Sequence, residues 1–237
     1  MAETFHERDL ADADFDDVSL RRARFHRVSF NDTRFTNVEF FRASIEDADL
    51  IDVTITGEVR NLVINGVDVA PYVEAELDKQ QPGRERMRPT DPAGFREAWD
   101  LLEELWTGTV ERARALEARR PGALHESVDG EWSFIQTLRH LVYATETWIL
   151  RAIGGDRDAR PTLDEALALR ADRQAAMRRV VDALTAEQLA SRTTPVEGPA
   201  WPPAEAFPVD EVLRTILHEE WEHRRYAARD LTELEAR

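Results

Sequence analysis

The residues best able to do chemistry crowd into one stretch near the C-terminal end, Leu217-His218-Glu219-Glu220-Trp221-Glu222-His223-Arg224-Arg225. Two histidines and three glutamates fall there within residues 218–223. Imidazole and carboxylate groups ligate divalent metals and exchange protons in acid–base chemistry. The stretch holds neither Gly nor Pro, so it can run as one helix. Its two histidines cannot share a face of that helix. At about 100° per residue from Val209, the apolar Val212, Leu213, Ile216, Ala227 and Leu231 fall within about 60° of the origin. On the same count His223 lies near ~320°, Glu220 near ~20°, Glu219 at the edge near ~280° and His218 on the far side near ~180°. His218 and Glu222 therefore point outward. The inward set is His223 with either Glu219 or Glu220, since both spacings bring side chains together on a helix.

A carboxylate and an imidazole facing an apolar interior need a partner, because an unpaired buried charge is costly. His140 is the candidate from elsewhere in the chain. It belongs to Trp132-Ser133-Phe134-Ile135-Gln136-Thr137-Leu138-Arg139-His140-Leu141, off the main apolar side of its own helix and on a strip with Thr137, Ala144 and Thr147. The alternative is a plain buried hydrogen-bonded pair of His223 with Glu219 or Glu220, tied to Arg139 or Arg225.

The elements that must position these groups are helices. Asp91-Pro92 opens the first, with an N-cap acceptor followed by a residue whose missing N–H does no harm. Phe95, Trp99, Leu102, Trp106, Val110, Ala113 and Leu116 recur along it at helical spacing to Arg119. A second helix is expected over 133–153, ended by Gly154-Gly155, and a third over 162–184. Thr185-Ala186-Glu187-Gln188 reads as a capping box on a short turn. A long loop over 190–207, containing Trp201, precedes the fourth helix, which runs to about residue 232. Four amphipathic helices of this length argue for an all-α four-helix bundle.

Composition narrows the chemistry. The 237 residues include no Cys, which excludes disulfides, Cys-ligated zinc and a Cys nucleophile. A net charge of −16 argues against a nucleic-acid partner. There is no Gly-rich phosphate loop. No apolar run approaches the ~20 residues that span a bilayer, and the acidic N-terminus lacks a signal pattern. The expectation is a cytoplasmic protein with no membrane partner.

The first quarter of the chain has a different period. Phe5, Leu10, Phe15, Leu20, Phe25, Phe30, Phe35, Phe40, Ile45, Leu50 and Ile55 fall on a strict step of five, with a small or β-branched residue two positions before most of them. Neither helix nor strand puts every fifth residue on one side. A square coil does. Residues 3–57 resemble the pentapeptide-repeat family, and the resemblance implies a short right-handed quadrilateral β-helix. Some members of that family mimic DNA with an acidic rod, but here the ladder is short and Arg21, Arg22, Arg24 and Arg27 interrupt its acidity. A small capping or dimerising module is the expectation instead, with a homodimer as one form of it. The register breaks at Gly57 and Arg60, and Asn65-Gly66 is a turn signal between short apolar runs that would close the coil. A short helix is expected within 71–77. The Pro-, Gly- and charge-rich stretch 78–92 reads as a boundary. The domains expected are thus 1–70, a short helix and linker over 71–91, and the bundle over 92–237: a mixed, multi-domain chain.

Residues 92–232 resemble the DinB-like superfamily and its mycothiol-dependent relatives. The resemblance rests on the four-helix layout, on Trp132-Ser133 with Leu138-Arg139-His140-Leu141, and on His223-Arg224. It implies a divalent metal held by a His of the second helix and two residues of the last, commonly His-x-x-x-His. Here that set is His140, Glu219 and His223, with Glu219 standing where the family commonly has His. Two imidazoles and a carboxylate suit Zn, Ni, Fe or Mn. The implied activity is transfer of a small-molecule thiol, of the mycothiol or bacillithiol type, to an electrophile in detoxification. The competing reading is a non-enzymatic binding or assembly protein with a vestigial site. No catalytic residue beyond the ligand set is assigned from sequence.

Overall fold

The computed structural model describes residues 5–16, 18–36, 38–150, 162–195 and 205–237. Gly154-Gly155 and Trp201 lie outside the described residues. The chain divides into two compact units, Met1–Gly57 and Glu58–Arg237.

In the first unit the five-residue period is written into the backbone. Glu7, Asp12, Arg22, Arg27, Asp32, Arg42, Asp47 and Asp52 all have positive φ, between 50° and 63°. Each stands two residues after a ladder residue, so the chain turns a corner once per pentad. Left-handed backbone is disfavoured for L-residues by roughly 1–2 kcal/mol, least for Asp and Asn, and Asp fills half of these corners. Alternate corners are closed by a backbone bond: Ala13, Ala23 and Thr33 donate N–H to Leu10, Leu20 and Phe30 at 3.1, 3.0 and 3.3 Å. The rings of Phe25, Phe30, Phe35 and Phe40 follow one another at centroid separations of 5.5, 5.7 and 5.8 Å. Among the described residues of this unit there is no β-strand, and every one is exposed.

The second unit begins with a hairpin, β1 (Val63–Ile64) and β2 (Val67–Asp68), paired antiparallel. Its turn is the Asn65-Gly66 pair, with φ 50° and 82° as a two-residue turn of this hand requires. Helix α1 (Ala70–Gln80) and a 3-10 turn (Arg84–Met87) follow. Composition marks 78–91 as a linker, yet these residues pack. Arg84 and Met87 are buried, and Trp221 Nε1 donates to Gln81 Oε1 at 3.4 Å. Arg84 holds the segment by bonding Glu74 and Asp78 of α1 at 2.8 and 2.9 Å.

The bundle is α2 (Pro92–Arg119), α3 (Phe134–Thr145), α4 (Leu163–Ala183) and α6 (Val209–Ala236), with the single turn α5 (Ala186–Leu189) between the last two. In packing, α2 lies against α4 and α6, and α3 lies against the same two. Asp91 caps α2, and Ser133, Thr162 and Thr185 open α3, α4 and α5 with capping boxes. The second helix leaves α-helical geometry after Thr145, and residues 151–153 of the expected helix lie outside the described residues. It passes into π-helix over Glu146–Leu150, where buried Glu146 is paired with Arg173 of α4. No described helix is long and apolar enough to cross a membrane.

Two apolar clusters fill the bundle. One gathers Trp106, Leu116, Leu138, Ala166 and Leu231, and the other Phe95, Trp99, Leu102, Met177, Leu217 and Trp221. Between them, along α4 and α6, stand a charged pair, Arg170 and Glu220, only 3% and 1% exposed.

Candidate metal centre

His140, Glu219 and His223 come together. Helix α3 supplies His140 and α6 supplies the other two, four residues apart and hence one above the other. Glu219 Oε2 stands 2.9 Å from His140 Nε2 and 3.1 Å from His223 Nε2. One ligand atom from each residue lies within 4.8 Å of the other two. With both Nε2 atoms protonated, each imidazole donates to the same carboxylate oxygen. Burial pushes the Glu219 carboxyl up, but the hydrogen bonds and charges of His140 and His223 outweigh it and hold the group well below the ordinary carboxylate range.

This set fits a divalent ion by its chemistry and spacing. Bonds of about 2.0–2.1 Å at tetrahedral angles put neighbouring donors about 3.4 Å apart. The two separations between Glu219 and the imidazoles would open by a few tenths of an ångström to reach that spacing. All three residues are half-buried, so the cluster keeps a face toward solvent.

Aromatic rings border the site. The Trp132 indole lies 4.7 Å from the His140 ring and stacks on His223 at 5.7 Å and 10°. The Tyr226 ring meets His223 edge-on at 6.0 Å. Both aromatics remain partly open to solvent, Trp132 at 48% and Tyr226 at 42%. Burial and the Glu222 charge push the Tyr226 phenol up, against Arg225 and Arg229. It stays protonated at neutral pH and able to donate.

The other candidates separate cleanly. Glu220 is turned to the bundle centre, where both its oxygens bind Arg170, with Nη1–Oε1 at 3.1 Å. The partner it binds is thus Arg170, and Arg225 bonds Glu222 at 2.6 Å. His218 is half-buried and takes no part in the cluster, while His6, His26 and His125 are exposed. One feature escaped sequence reasoning. Arg170 falls on the apolar stripe of α4 with Leu163, Ala166 and Met177, a signal that marks a buried cation. The sequence leaves Trp132 between a packing role and lining a pocket near the site, and the structure puts it against both imidazoles.

With the geometry in view, the family can be stated. Residues 75–227 match the DinB superfamily, and the chain belongs to it. Residues 4–37 and 19–57 each match the family described as pentapeptide repeats (8 copies). DinB domains often bind a divalent metal, and the His140, Glu219 and His223 cluster lies inside the matched region. No curated protein and no solved structure matches the chain.

Proposed function

We propose that His140, Glu219 and His223 hold one divalent ion, Zn, Ni, Fe or Mn, and that the chain is a metal-dependent transferase joining a low-molecular-weight thiol to an electrophile. The observation that carries this reading is the convergence of three donors from two helices on one point. A bound ion supplies a Lewis acid that lowers the pKa of a thiol or water beside it. The rest falls to the chain. The imidazoles and Glu219 keep the donor set in place. The partly open faces of Trp132 and Tyr226 flank whatever approaches it, and the Tyr226 hydroxyl can donate to negative charge developing there. Because the chain has no Cys, the reactive sulfur comes from the cosubstrate.

The test is a transfer assay with mycothiol and bacillithiol against a panel of electrophiles, using protein purified without a histidine tag and loaded with each metal. Turnover that disappears with a chelator and in His140→Ala supports the reading. A metal-loaded protein that turns over no pair shifts the account to a binding or assembly protein, a reading favoured by the exposed apolar row of the first unit.

For that unit, the finer proposal is a right-handed four-sided β-helix, one pentad to a side. A corner every fifth residue and the file of phenylalanine rings support it.

A further inference from the structure

We propose that the buried Arg170–Glu220 pair is a fine rotational lock on α6, which pins Glu220 in the core and so holds its neighbour Glu219 within hydrogen-bond distance of His140. This rests on the metal-site reading above for its consequence, though not for its geometry. Glu219 and Glu220 are chemically identical and adjacent, about 100° apart around the helix. A rotation of that size would turn the buried Leu213, Ile216, Leu217 and Leu231 out of the core, so apolar packing sets α6 coarsely. The fine setting remains, and the 2.9 Å approach of Glu219 to His140 depends on it. Arg170 supplies that setting. Its guanidinium binds both oxygens of Glu220, in the fork geometry that fixes direction as well as distance. The cation is itself held from a third side, with Cζ 4.3 Å from the centroid of the Trp106 ring. Helices α2, α4 and α6 are thereby tied at one point, and both charged side chains are almost fully buried.

Setting a register is the best attested use of a buried charge, because such a pair adds little stability over apolar residues of similar size. With Glu220 pinned, Glu219 and His223 are presented to α3, where Glu219 meets His140 at 2.9 Å. Arg170 and Glu220 are positioning residues: they touch no ligand atom and act through the rotation of α6.

The experiment compares wild type, Arg170→Lys and the double variant Arg170→Met/Glu220→Met in the full chain. Removing both charges avoids leaving one unpaired. Two quantities are read: Zn affinity by calorimetry, and the Nε2–H signals of His140 and His223 in metal-free protein by NMR. The double variant is expected to melt at or above the wild-type temperature, to bind Zn at least about 10-fold more weakly, as loss of an outer-shell support does, and to lose the hydrogen-bonded imidazole signals. Arg170→Lys, a single point charge in place of a fork, falls between. A folded double variant with wild-type affinity and wild-type imidazole signals overturns the proposal. Should the double variant not fold, wild-type imidazole signals in Arg170→Lys overturn it equally. If wild type binds no metal, the metal reading fails, while the imidazole signals still decide whether the pair sets the register.

Discussion

Glu219 Oε2 accepts from two imidazoles at once, and the site's behaviour follows from that one oxygen. The two donors outweigh burial, so the carboxylate stays ionised in mildly acid solution and remains available as a ligand. Glu219→Gln keeps the shape and removes the charge. It should weaken metal binding by more than about 100-fold, beyond what outer-shell changes cost, with an unchanged far-UV circular dichroism spectrum. Glu219→His replaces a hard oxygen donor by a nitrogen. It should retain binding and shift preference from Mn toward Zn or Ni, measured by competition between the ions. Helical angles made His223 and one glutamate of α6 legible as an inward pair, and the resemblance to the DinB-like superfamily added His140 and picked Glu219. Angles alone left Glu219 and Glu220 open, because they do not reveal that a cation on another helix, Arg170, claims Glu220.

Among the elements, start signals were the most legible. Asp91-Pro92, Thr162 and Thr185 begin their helices as their side-chain chemistry dictates. Ser133 caps α3 ahead of His140. Ser133→Ala should cost about 1 kcal/mol in urea denaturation. Packing against a distant element was less legible. Residues 78–91 have linker composition, and nothing local shows that Arg84 will be buried between Glu74 and Asp78. The passage into π-helix at Glu146 likewise carries no local signal. The Arg84 clamp has a pH signature. The hydrogen bond from Arg84 lowers the Glu74 carboxyl against burial; burial raises Asp78, but Arg84 and Arg88 together lower it. Both groups thus have folded values below their unfolded ones. Their contribution is complete above the unfolded carboxylate range, about pH 4–5, and is lost as pH falls through the folded values. Arg84→Met should cost on the order of 1–2 kcal/mol at pH 7, less than a fully buried pair because Glu74 and Asp78 remain partly exposed. It should also shrink the fall in melting temperature between pH 7 and pH 3.

At the scale of the whole molecule, two kinds of periodicity share one chain. The five-residue ladder was legible because it fits neither helix nor strand. Whether its turns close on one another depends on contacts between coils, which a repeat pattern does not specify. The rings of Phe25, Phe30, Phe35 and Phe40 contact one another in file, so Phe30→Asp should abolish the unfolding transition of the first unit and leave that of Glu58–Arg237 unchanged in calorimetry. Two independent transitions are expected from the division of the chain at Gly57. The central claim concerns the bundle, and metal titration of the full-length, metal-stripped chain by calorimetry tests it most directly. The account predicts one divalent ion per chain, with binding lost in His140→Ala and His223→Ala. No binding by wild type, or wild-type binding by both variants, would contradict it.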